Sequence, residues 1–426
     1  MKKLNSIIIL LLPLVIYYDF PFTSINIATV LSLVLLIVST FLVRQKNFRI
    51  NKGLLFVLIY VVCSTILTLI FRKTIPFVHF AFIIVNIIIS ILITGNIRNT
   101  IDVSCLVKHY KRILCLLIFI FILQHLTSLI TGRIMYGLIP FLPITDSYKG
   151  VKTGLSIETY SYFASMRLIS SSFSEPAHFA VYLLPAFVIS LREKKKLNWA
   201  MLIITSLTVL MTLSGNGILS MIIFFLAFLL LDRKLSIAKR AGGLIAVCLF
   251  FFLTFLILNR ISVFNELFSN LFSGDLNRGS KADYRIFRGF YIFGTLPVSN
   301  KLFGLGFHQI TDYLTLNNLA TPYDYGTSNL EYANFIAQYL IYFGIIGFIF
   351  PVAFVYQLFR KGNHYSNAFL ITMIALWFSS SMMFDSIWIF LLTFVVAFNC
   401  EEWSVYYAVE RKKRFVDPVR IKVHSA

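Results

Sequence analysis

The chain has 426 residues, of which 58% are hydrophobic, 16% aromatic and only 13% charged, and its mean hydropathy is +0.82. Such a balance excludes a water-soluble globular domain, and apolar runs of about 20 residues separated by short basic segments mark a polytopic α-helical membrane protein. The net charge of +20 is spread over short hydrophilic turns, which excludes a nucleic-acid grip and matches the way membrane topology is encoded.

In chain order, apolar spans are expected near 5–20, 25–43, 53–71, 75–94, 113–130, 176–191, 199–214, 217–231, 241–259, 332–357, 366–382 and 386–400. The expectation is therefore an all-α transmembrane bundle of about 12 spans within residues 1–400, followed by a basic tail over 401–426. Met1 to Tyr18 reads as an uncleaved first span, because Asp19, Phe20 and Pro21 follow in place of a small-residue cleavage site. Twelve spans put both termini on one side. On that side fall Lys2 and Lys3, the basic clusters in 44–52, 98–112, 192–196 and 233–240, Arg360 and Lys361, and the tail from Arg411. These are well over half of the 38 Lys and Arg, so both termini are expected in the cytoplasm. The tail's Arg411–Arg414 run suits anionic membrane lipid. Five cysteines share no C-x-x-C spacing and read as small apolar residues.

Two segments break the rhythm, 131–175 and 260–331, and both fall outside. Away from their ends the spans hold few ionisable groups, His79 and His125 among them, which argues against an ion-coupled transporter. The chemistry is expected at the outer surface.

The first outer segment closes on RLISSSFSEPAHFAVY, from Arg167 to Tyr182. Glu175 before Pro176 has the form of a helix start, with Ser174 available as a cap and His178 three residues on. Two accounts stand side by side: cap, snorkelling arginine and interfacial histidine, or a general base (Glu175, then His178) at the membrane surface. The second segment carries ADYRIFRGFYIF, from Ala282 to Phe293. Arg285 and Arg288 are one helical step apart there, with Tyr284, Phe287 and Tyr291 on a neighbouring stripe. Either this is an interfacial amphipathic helix with snorkelling arginines, or the guanidiniums grip phosphate. KLFGLGFHQI follows, where Gly304 and Gly306 permit a tight turn and His308 is a weak candidate ligand group. Asp283, Asp312, Asp324 and Glu331 match no calcium-loop spacing and read as solvated loop charge, so no metal is expected.

These residues carry a resemblance. SFSEPAHFAVYL (Ser172 to Leu183), Arg288 with Gly304 sixteen positions on, and LFGLGF followed by a span with YFGIIGFIF resemble the O-antigen and capsular polysaccharide polymerases, polytopic inner-membrane glycosyltransferases related to the O-antigen ligases. Arg167 departs from the pattern, with Leu183 where a second arginine motif would have glycine. The resemblance implies growth of surface glycan, lipopolysaccharide or capsule, on the outer face of the bacterial cytoplasmic membrane. Donor and acceptor would be undecaprenyl-pyrophosphate-linked glycans, with a chain-length regulator and a flippase as partner proteins and no nucleic acid. Glu175 or His178 would be the base and Arg288 would neutralise the leaving pyrophosphate. Arg167, Tyr284, Arg285, Gly304 and His308 would bind substrate. No metal and no cofactor is required if arginines carry the charge.

Overall fold

The computed structural model describes residues 1–20, 25–44, 48–71, 75–131, 142–144, 169–173, 175–193, 196–233, 235–259, 281–319, 331–381 and 384–400. The described residues are about 81% helical, and no strand occurs among them. Among the described residues, nine helices come first: α1 (Lys2–Val15), α2 (Ile27–Arg44), α3 (Lys52–Phe71), α4 (Phe77–Thr100), α5 (Val103–Thr131), α6 (Pro176–Glu193), α7 (Lys196–Met211), α8 (Gly215–Leu231) and α9 (Ile237–Asn259). Within residues 281–319 lie α10 (Lys281–Thr295), α11 (Val298–Phe303) and α12 (Ile310–Leu316). α13 (Phe335–Lys361), α14 (His364–Trp377) and α15 (Ser386–Ala397) complete the described fold.

A helix lies on each of the twelve expected segments, and α2, α3, α4, α5 and α13 are long and apolar enough to cross a membrane. α5 begins at Val103 instead of near 113. Its basic residues Lys108, Lys111 and Arg112 interrupt the hydropathy without stopping the helix, whose other face buries Leu106, Val107 and Tyr110. The outward faces stay apolar, with Ile37, Phe41, Phe119, Leu129 and Ile349 exposed, as lipid-facing helices require.

The helices alternate in direction, so the bundle has two distinct ends. At one end Lys2 donates to the Arg98 carbonyl, Asn96 exchanges two hydrogen bonds with the Arg49 backbone, and Arg192 and Asn363 both donate to the Phe398 carbonyl. This is the basic end. Buried polar side chains also join helices. Asn5 donates to Ser39 and to the Thr100 carbonyl, Trp388 donates to Ser90, and Asn86 donates to the Phe384 carbonyl. Each such bond inside a membrane bundle contributes about 0.6 kcal/mol. Pro185 lies inside α6, where the Tyr110 hydroxyl donates to the Tyr182 carbonyl at 2.8 Å. α4 departs from helical geometry at Asn96 and α13 at Gly344, and the second of these breaks belongs to the site.

Candidate functional site

At the end opposite the basic turns, two polar groupings gather, one from the described parts of segment 131–175 and one from those of segment 260–331. The first is built around the start of α6. Residues 169–173 turn back onto α5, where the Gln124 amide exchanges two hydrogen bonds with Ser171, at 3.1 and 2.8 Å. Ser171 has φ 54°, an unusual conformation for a residue other than glycine. That clamp presses Phe173 into a ring cluster with Tyr17, Phe179 and Tyr182. Pro176 opens α6, as the sequence leads one to expect, with Glu175 immediately before it. His178 lies half-buried with its ring 5.6 Å from that of Tyr17. Arg167 and Ser174 fall outside the described residues.

The second grouping is the more elaborate. α13 is interrupted at Gly344, which has φ 69° and ψ −179°. In an unbroken helix the carbonyls of Ile341, Tyr342 and Phe343 would accept from N–H groups four residues on. Here they accept from the Leu305 N–H at 2.7 Å, the Gly306 N–H at 3.0 Å and the Tyr60 hydroxyl at 3.0 Å. Residues 304–306 thus form a strap seated in the break. Glycine is required on both sides of the contact. A Cβ on Gly344 would collide with the Leu302 carbonyl, and one on Gly304, whose φ is 89°, with the Tyr342 carbonyl.

The strap delivers the next residues to α13. Phe307 is buried against the rings of His79, Phe80 and Tyr342. His308 follows with φ 58°, a left-handed conformation costing about 1–2 kcal/mol. Its Nδ1 lies 3.6 Å from Oε1 of Glu331, with side chains 40% and 13% exposed respectively. The Thr311 N–H, in the first turn of α12, donates to the same Oε1 at 2.9 Å. Tyr342 donates its hydroxyl to Oε2 at 2.7 Å, and Gln338 donates to that hydroxyl at 3.1 Å. His79 completes the rim, its ring 6.2 Å from that of His308.

α10 lies alongside, and its orientation is the reverse of a snorkelling interfacial helix. Phe287 and Tyr291 are exposed, whereas Arg288, Ile292 and Leu296 are buried. Arg288 is fully buried and donates to the Tyr332 carbonyl, the residue next to Glu331. Small residues permit this approach, because Gly289 meets Ala333 and Ala337 of the facing segment. Asn334 caps α13 by accepting from the Ala337 N–H and donates to the Ile286 carbonyl of α10. Tyr284 and Arg285 lie in the first turns of α10, and their side chains fall outside the described ones.

Of the residues picked from the sequence, Arg288, Gly304 and His308 therefore converge on the start of α13, while Glu175 and His178 belong to the first grouping. Glu331 and Tyr342 were not picked. Glu331 looked like one acidic loop residue among four, and a hydroxyl inside the apolar run YFGIIGFIF gives no pattern of its own. The available signal was position: Glu331 is the last charge before a long span and stands three residues ahead of its cap, Asn334. Comparison with known protein families and with curated proteins finds no match to this chain.

Proposed function

We propose that this protein is a bacterial membrane glycosyltransferase that polymerises undecaprenyl-pyrophosphate-linked repeat units into surface polysaccharide, outside the cytoplasmic membrane. In this reading the helices on all twelve expected segments cross the membrane, both termini and the basic end face the cytoplasm, and the two outer groupings face the lipid-linked substrates. The observation that carries it is the construction of the second outer segment. Its described residues are held as three helices and a strap against the bundle, and they bring His308 to 3.6 Å from Glu331 beside a buried arginine. A solvated connector would need none of this, whereas sugar transfer from a lipid pyrophosphate needs a carboxylate or imidazole to take the acceptor proton and cations to steady the leaving group.

Glu175, His178 and the Glu331–His308 pair are the groups able to take that proton. Arg288, with Arg167 and Arg285, supplies positive charge to the leaving pyrophosphate or holds the backbone that surrounds it. The polyprenyl tail would lie against the apolar outward faces, and a flippase would deliver each new unit. The test is deletion of the gene followed by electrophoretic analysis of surface glycan length. The expected result is glycan capped by single repeat units in place of long chains. Complete loss of repeat units from the surface would name a ligase or a flippase instead.

A further inference from the structure

The carboxylate of Glu331 is held by groups from three parts of the chain, α12, His308 after the strap and α13. Oε1 accepts the Thr311 N–H and faces His308 Nδ1, and Oε2 accepts the Tyr342 hydroxyl. A carboxylate has about four lone-pair sites, so these contacts leave room for one more donor. Glu331 still reaches the surface, and the half-exposed His308 stands beside it. The Glu175 side chain, by comparison, has no hydrogen bond among the described residues. Glu331 is also tied to the strap through a single residue: Tyr342 holds the carboxylate with its hydroxyl and the Gly306 N–H with its carbonyl. Seating of the strap and aiming of the carboxylate are therefore one event.

We propose that Glu331 is the general base of the transfer, with Tyr342 and the Gly304–Gly306 strap as its positioning elements and His308 as the outlet for the proton. This rests on the glycosyltransferase reading above. In the step, the acceptor sugar hydroxyl loses its proton to the Glu331 carboxylate while its oxygen forms a bond to the donor's anomeric carbon. The bond from that carbon to the pyrophosphate oxygen breaks, its electron pair leaves with the lipid pyrophosphate, and the proton passes from Glu331 to His308 and on to water.

The experiment uses a strain lacking the chromosomal copy, complemented with full-length variants at matched membrane abundance, and reads glycan chain length and the polymerisation rate in membrane vesicles. Wild type restores long chains. Glu331→Gln is expected to leave single repeat units, with the rate down about 10²–10⁴-fold. Glu331→Asp, which keeps a carboxylate but shortens it, should fall between the two. Tyr342→Phe should slow the rate about 10- to 100-fold, since a hydrogen bond to a charged group is lost. Sodium formate added to vesicles carrying Glu331→Ala should restore part of the rate, a rescue that repair of a merely structural defect would not give. Long chains from Glu331→Gln overturn the base assignment and leave the polymerase reading standing. Equal loss in the Gln and Asp variants with no formate rescue also overturns it, in favour of a structural carboxylate. If deletion of the gene leaves chain length unchanged, the polymerase reading itself falls and takes the base with it.

Discussion

At the scale of single residues, Arg288 is the position where physical chemistry makes the sharpest demand. A guanidinium with no exposed surface must have its donors satisfied, and the Tyr332 carbonyl is one of the acceptors. Arg288→Ala would orphan that carbonyl, at about 1–3 kcal/mol, and open a cavity as well. The purified variant is therefore expected to melt several degrees lower than wild type in detergent, with reduced membrane abundance. Arg288→Lys keeps the charge but not the planar fork. If the guanidinium also steadies the leaving pyrophosphate, losing one such donor costs about 2.7–4 kcal/mol of transition-state stabilisation. Chains should then shorten sharply at normal protein level, while Lys281→Ala, at the start of the same helix, stays silent. Normal chains from Arg288→Lys would confine Arg288 to holding the backbone. Arg288 stands out in the sequence, but its burial does not. Spacing gives the face of a helix on which a residue lies, and only the facing Ala333 and Ala337 reveal that this face points inward.

At the scale of elements, legibility tracks the kind of force involved. Helix α6 starts where Glu175–Pro176 says it should, because proline at the first helical position is a local rule. The strap follows from no local rule: it exists because α13 opens at Gly344 and residues more than thirty positions earlier fill the gap. The sequence marks both partners as glycine-containing and leaves their meeting unread. This contact predicts a non-additive pair. Gly344→Ala places a side chain at φ 69°, a strain of about 1–3 kcal/mol before any clash, and Gly304→Ala does the same from the other side. Either substitution should unseat the strap, lowering the melting temperature and abolishing chain growth. Once it is unseated, the second substitution has little left to break. The double variant should therefore melt close to the worse single variant, well short of the sum. Full additivity in a thermal-shift series would mean that the two glycines do not share one contact. Tyr60→Phe, which removes only the hydroxyl donating to the Phe343 carbonyl, should cost about 1–3 kcal/mol with a milder loss of activity.

At the scale of the whole molecule, the proposed function requires the basic end of the bundle to face the cytoplasm. The charges near Lys2, Arg49, Arg98, Arg192 and Lys361 come together at one end through contacts between helices far apart in sequence, so the bundle is polarised as a body. A charge pattern read along the chain and a set of contacts in space thus point the same way, although each arises from different physics. Short basic turns resist translocation, and the side holding them stays in the cytoplasm. The His308–Glu331 grouping is at the other end, which the proposed orientation puts outside. Thr315 on α12 and Ser236 before α9 are both exposed and fall on opposite sides of this scheme. In a background with the five native cysteines replaced, Thr315→Cys should react with a membrane-impermeant maleimide in intact spheroplasts. Ser236→Cys should react only after the membrane is opened. The reverse pattern would put His308 and Glu331 in the cytoplasm, where a lipid-linked unit waits before it is flipped. Polymerisation on the outer face would then be untenable, however well the pair is aligned for proton transfer.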